Sequence, residues 1–74
     1  MSDPQEMRLE VGDRPINLTQ VLKLAGCVES GGEAKALIGE GRVRVGGVVE
    51  TRKRRQMARG DIVEIAESVR IELI

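Results

Sequence analysis

Ser30-Gly31-Gly32-Glu33-Ala34-Lys35-Ala36-Leu37-Ile38-Gly39-Glu40-Gly41-Arg42-Val43-Arg44-Val45-Gly46-Gly47 changes its period halfway. Ser30 followed three residues later by Glu33 is the spacing of a capping box, in which each side chain satisfies a free amide at a helix start. Ala34, Leu37 and Ile38 then fall on one helical face, and Gly41 suits the left-handed stop. From Arg42 the alternation is strict, with Val43 and Val45 toward a core and Arg42 and Arg44 toward solvent. Gly46-Gly47 fits a two-residue hairpin turn that returns through Val48-Val49-Glu50. A helix running directly into a hairpin places the chain in the α+β class.

Toward the amino end, Asn17 reads as the cap of an earlier helix. Leu18, Val21, Leu22 and Ala25 form its apolar face, and Gly26 stops it. Met7, Leu9 and Val11 alternate with Arg8 and Glu10, a short strand, and Gly12 to Pro15 form a turn. Residues 1–6 read as a flexible tail and residues 7–74 as a single domain. Toward the carboxyl end, residues 51–59 have no apolar period and read as a basic loop. Ile62–Ile65 and the stretch from Val69 to Leu73 read as strands. The expectation is two short helices packed on a small antiparallel sheet, with the basic loop at one end. Gly31 and Gly32 weaken the second helix by about 1 kcal/mol each relative to Ala. Close packing of the first helix across them is the leading reading, ahead of a phosphate at the helix start.

At 74 residues the chain is one domain, and its six Ile, nine Val and six Leu suffice for one small aliphatic core. Phe, Tyr, Trp and His are all absent. Without rings there is no aromatic platform for stacking bases, and without His there is no side chain for acid–base work near neutral pH. Cys27, the single cysteine, excludes an internal disulfide and a zinc site built on several thiolates; it reads as a small, partly buried hydrophobe. No metal or cofactor is expected. No apolar run is long enough to span a membrane, and the polar, acidic start is unlike a secretory signal, so the cytoplasm is expected.

The net charge of zero conceals a pole. Residues 1–13 and 61–74 each sum to −3, whereas residues 14–60 sum to +6. Residues 42–59 hold seven bases against Glu50 alone. Arg42 and Arg44 on the strand, Arg52, Lys53, Arg54, Arg55 and Arg59 in the loop, and Lys35 on the outward side of the second helix form the candidate site. Lys23 reads as a solvated helix residue. Arginine suits phosphate because its planar fork donates two parallel hydrogen bonds. A basic run alone is commonly a solvated surface, and in a eukaryote Arg52–Arg55 would also suit a nuclear-localisation signal. The coincidence with outward arginines on the adjoining strand favours a polyanion.

As a set, Leu18-Thr-Gln-Val-Leu-Lys-Leu-Ala-Gly26, Ser30-Gly-Gly-Glu-Ala-Lys-Ala-Leu-Ile38, Gly41-Arg-Val-Arg-Val-Gly-Gly47 and Gly60-Asp61-Ile62-Val63 resemble the RNA-binding domain named after small-subunit ribosomal protein four, the S-four domain. The resemblance spans about Ile16 to Ile65 and is strongest to small stand-alone bacterial members of YbcJ type. It implies two helices on a small twisted sheet, binding to structured RNA, often ribosomal RNA, and no enzymatic activity. A monomer is expected. The family often has Arg after the Ser, where this chain has Gly31, and the Arg52–Arg55 loop is expected to compensate. The rival reading is a protein-interaction module associated with ribosomes or RNA-processing enzymes.

Overall fold

The computed structural model describes residues 4–74. Strand β1 (Gln5–Leu9) leads to a two-residue strand β2 (Ile16–Asn17), which enters helix α1 (Leu18–Leu24) directly. Helix α2 (Gly31–Gly39) follows, then β3 (Val43–Val45), β4 (Val48–Val49), β5 (Gln56–Met57), β6 (Ile62–Ile65) and β7 (Val69–Leu73). Five strands form one sheet in the order β1-β7-β6-β3-β4, and β2 pairs with β5 in a separate ribbon.

The α+β expectation holds, with one difference in the sheet. β3, β4, β6 and β7 pair antiparallel, but β1 runs parallel to β7, Met7 opposite Ile71. The sheet is therefore mixed. Antiparallel neighbours suit short turns, whereas a parallel pair needs a long crossover, and here nearly the whole domain lies between β1 and β7. β1 also begins at Gln5, so Gln5 and Glu6, expected in the tail, are paired with Val69 and Arg70. The expectation of a tail at residues 1–3 lies outside the described residues.

Both helices lie on one face of the sheet. Leu18, Val21 and Leu22 of α1 and Ala34 and Ile38 of α2 meet Val43, Val45, Val63, Ile65, Ile71 and Leu73 in one core, joined by Val11, Ile16, Val28 and Met57. Leu37, expected on the apolar face, is only partly buried at the core's margin. Met57 is buried although the segment around it has no apolar period, because β5 carries it into the ribbon opposite Ile16. Cys27 packs half-buried against the core, and burial pushes its thiol pKa up, which fits an unreactive hydrophobe.

The reciprocal capping box sits on α1: Asn17 Oδ1 accepts from the Gln20 amide at 2.9 Å, and Gln20 Oε1 accepts from the Asn17 amide at 2.8 Å. On α2, Ser30 Oγ accepts from the Glu33 amide at 3.2 Å, and only this half of the expected box is formed. The hairpin turn is as expected, with φ of 61° at Gly46 and 83° at Gly47, the left-handed pair that matches strand twist. Close packing across Gly31 and Gly32 is not found. A Cβ at Gly31 would meet nothing within 4 Å, and one at Gly32 only Ser30 Oγ at 3.9 Å.

Candidate nucleic-acid interface

The basic run is organised by one acid. Glu50 follows β4, and its side chain is only 12% exposed. Its Oε2 accepts from Arg52 Nε at 3.0 Å and from the Arg52 amide at 3.2 Å. Its Oε1 accepts from Arg52 Nη2 at 3.0 Å and lies 2.9 Å from Arg55 Nε. The hydrogen bonds from Arg52, with the charges of both arginines, hold the Glu50 pKa down at about 2. Arg55 Nη1 also lies 3.3 Å from Met57 Sδ, so this arginine is half-buried rather than exposed as its loop position suggested.

The same loop is docked by its backbone on the start of α1. The Lys53 carbonyl accepts from the Thr19 hydroxyl at 2.8 Å and from the Thr19 amide at 3.3 Å. The Arg55 carbonyl accepts from the Leu18 amide at 2.9 Å. Arg52 and Arg55 thus turn back onto Glu50, while Lys53 and Arg54 stand exposed and make no ion pair among the described residues. Lys23 on α1 and Lys35 on α2 are likewise exposed and unpaired among the described residues. Lys23 and Lys35 stand on the two helices, and the loop that carries Lys53 and Arg54 is hydrogen-bonded to the start of α1.

The other candidates are distributed differently. Arg42 Nε lies 3.1 Å from Glu40 Oε1, and Arg59 Nη2 lies 3.3 Å from Asp13 Oδ1. Arg44 is separated from the helices by the sheet, because Val43 and Val45 on either side of it point into the core. It belongs to a cross-strand row on the open face, Glu6–Arg70–Glu64–Arg44, in which the charges alternate. Arg70 Nη1 lies 3.6 Å from Glu6 Oε1 in that row, and Arg8 Nε lies 3.5 Å from Glu72 Oε1 beside it. The structure therefore brings Arg52, Lys53, Arg54 and Arg55 together and sets Arg44 apart from Lys35. Sequence reasoning counted Glu50 only as one acid among bases and gave Thr19 no role. The one signal for Glu50 was its position two residues before Arg52.

Two helices on a small mixed sheet are consistent with the fold of a known family, and the sequence match shows it: the chain belongs to the S4 domain family, which matches residues 9–73. The match is wider than the resemblance from Ile16 to Ile65 and takes in β7. Among individual proteins, the chain is 47% identical over 57 residues to YbcJ of Escherichia coli (strain K12), provisionally named an RNA-binding protein, covering 76% of this chain and 81% of the relative. It is 39% identical over 57 residues to RlbA of Bacillus subtilis (strain 168), provisionally named a ribosome maturation protein, covering 77% and 80% of the two chains. The solution structure of E. coli YbcJ, described as revealing an ALFAL motif involved in RNA-binding, superposes with a TM-score of 0.60 at 41% identity, covering 97% of this chain and 91% of that one.

Proposed function

We propose that this chain binds folded RNA, without catalysing a reaction on it, through the side formed by α1, α2 and the loop clamped by Glu50. The observation that carries this reading is the loop itself. Two of its four cations are consumed in shaping it, and the other two, Lys53 and Arg54, are held out with no carboxylate beside them among the described residues. Backbone hydrogen bonds to α1 anchor the positions from which these two side chains extend, which lowers the ordering cost on binding. Lys35 and Lys23 extend the same side. Arg42 and Arg59 each rest on one exposed acid, and a phosphate competes with that acid for the guanidinium. Arg44 lies on the far face and takes no part in this contact.

A-form RNA hides its major-groove edges and offers phosphates and 2′-hydroxyls in a regular array. A surface of fixed cations without aromatic rings suits that array better than a flexible strand. The names given to YbcJ and RlbA support RNA as the ligand and ribosomal RNA as its source. No helix among the described residues is long and apolar enough to cross a membrane. We place the protein in the cytoplasm as a monomeric binding module with no cofactor. The test is competition between a stem-loop and a linear RNA of equal length at one salt concentration. The stem-loop is expected to win; preference for the linear RNA overturns the reading.

A further inference from the structure

We infer that the hollow between β2 and α1 receives a single unstacked nucleotide carrying a keto base, an inference that rests on the RNA-binding reading and adds a base-recognising site to it. The hollow has a volume of about 250 Å³ and is lined by Arg14, Pro15, Ile16, Gln20, Lys23 and Leu24. That is below the range of about 300–1,000 Å³ usual for drug-sized ligands, and it suits one ring system. Ile16, 6% exposed, forms the buried floor. Leu24 ends α1 with 61% of its surface in water. The core does not use it, so the fold gives no reason for a large apolar side chain there.

The polar groups at the rim share one character. Gln20 Oε1 already accepts from the Asn17 amide, and the group of its side chain left without a partner among the described residues is the NH₂ donor. Arg14 donates through Nη2 to the Glu10 carbonyl at 3.1 Å and lies with Nε 3.4 Å from the Val11 carbonyl. These contacts hold a guanidinium plane at the mouth, and such planes stack on bases where rings are absent. Lys23 adds a third donor, and no carboxylate among the described residues lines the hollow. A ligand must therefore bring acceptors: a keto oxygen for Gln20 and Arg14, and a phosphate for Lys23. Uracil and guanine carry that oxygen, whereas adenine presents an amino donor in its place. The hollow also adjoins the basic segment, because Ile16 and Asn17 pair with Met57 and Gln56, which directly follow Arg55.

The test is an NMR titration of the full chain with uridine 5′-monophosphate, adenosine 5′-monophosphate and inorganic phosphate, read at the Gln20 side-chain amide and the Leu24 methyls. It is paired with binding to three hairpins: fully paired, with one bulged uridine, and with one bulged adenosine. Uridine monophosphate is expected to shift both probes saturably, and adenosine monophosphate and phosphate are not. The bulged-uridine hairpin is expected to bind about tenfold tighter than the paired one, the scale of one stacked base. Leu24→Ser should remove that preference while the paired hairpin still binds. Gln20→Glu keeps the acceptor that caps α1 but turns the donor into a carboxylate, and should abolish the uridine response with the helix intact. Equal binding of all three hairpins, or an equal response to both nucleotides, overturns the inference and leaves RNA binding standing. A uridine response at these probes from a chain that binds none of the hairpins supports the hollow and overturns the RNA reading instead.

Discussion

Reversing both exposed loop cations, Lys53→Glu with Arg54→Glu, should remove RNA binding and spare the fold. Both side chains are exposed, and neither makes an ion pair among the described residues. The contacts that dock the loop use the Lys53 and Arg55 carbonyls and the Glu50 carboxylate, all of which remain. Stability should therefore stay within about 0.5 kcal/mol of the parent. Taking Lys23, Lys35, Lys53 and Arg54 as one phosphate contact each, counterion release gives the parent a log–log salt slope of about −3 to −4. Affinity of the parent then falls roughly 100-fold between 50 and 200 mM salt, and any residual affinity of the double variant, resting on Lys23 and Lys35, only about tenfold. The assay is a salt titration of a fluorescent stem-loop by anisotropy, alongside thermal melting. A double variant that melts like the parent and keeps both its affinity and its slope would refute the assignment of the loop. Arg55→Glu is the contrasting variant. It sets a carboxylate against Glu50, so it should lower the melting temperature together with RNA affinity.

Ile38→Ala should cost about 2–5 kcal/mol, because this side chain is fully buried between α2 and the sheet. In a domain of this size each kcal/mol corresponds to about 4–8 °C in Tm, so a drop under a few degrees would mean the core is not where the structure puts it. Glu50 makes the loop pH-dependent in a defined direction. Its pKa lies at about 2, below its ordinary value of 4.5, so its contribution is complete above about pH 4.5 and fades as pH falls toward 2. Amide protection factors at Thr19 and Arg52, taken relative to the intrinsic exchange rate at each pH, should stay high at pH 5 and fall on further acidification in the parent, whereas Glu50→Gln should show low factors already at neutral pH. Equal protection in the two proteins would show that the clamp does not order the loop.

The central stretch of the fold was legible because its signals are local. Ser30 caps α2 within three residues, the change of period at Arg42 marks the strand, and Gly46-Gly47 dictates the turn. What escaped depends on residues far apart in sequence. The parallel pairing of β1 with β7 joins the two ends of the chain. The β2–β5 ribbon is two residues long on each side, too short to show a period, and yet it buries Met57. The candidate site divides in the same way. The number of cations is a property of composition, but their direction is not. Arg44 points away from the helices because strand pleating puts it opposite Val43 and Val45. Arg52 and Arg55 turn inward because one carboxylate with little exposure reaches both. An irregular loop offers no periodicity from which either outcome can be read.

The claim that the helix side of the molecule meets RNA is tested most directly by an NMR footprint of a bound stem-loop RNA on this chain. Backbone and side-chain signals of Thr19, Lys23, Lys35, Lys53 and Arg54 should shift or broaden on titration, and those of Arg44, Glu64 and Arg70 on the open sheet face should stay in place. A footprint centred on the Glu6–Arg70–Glu64–Arg44 row, with the loop unmoved, would contradict the account.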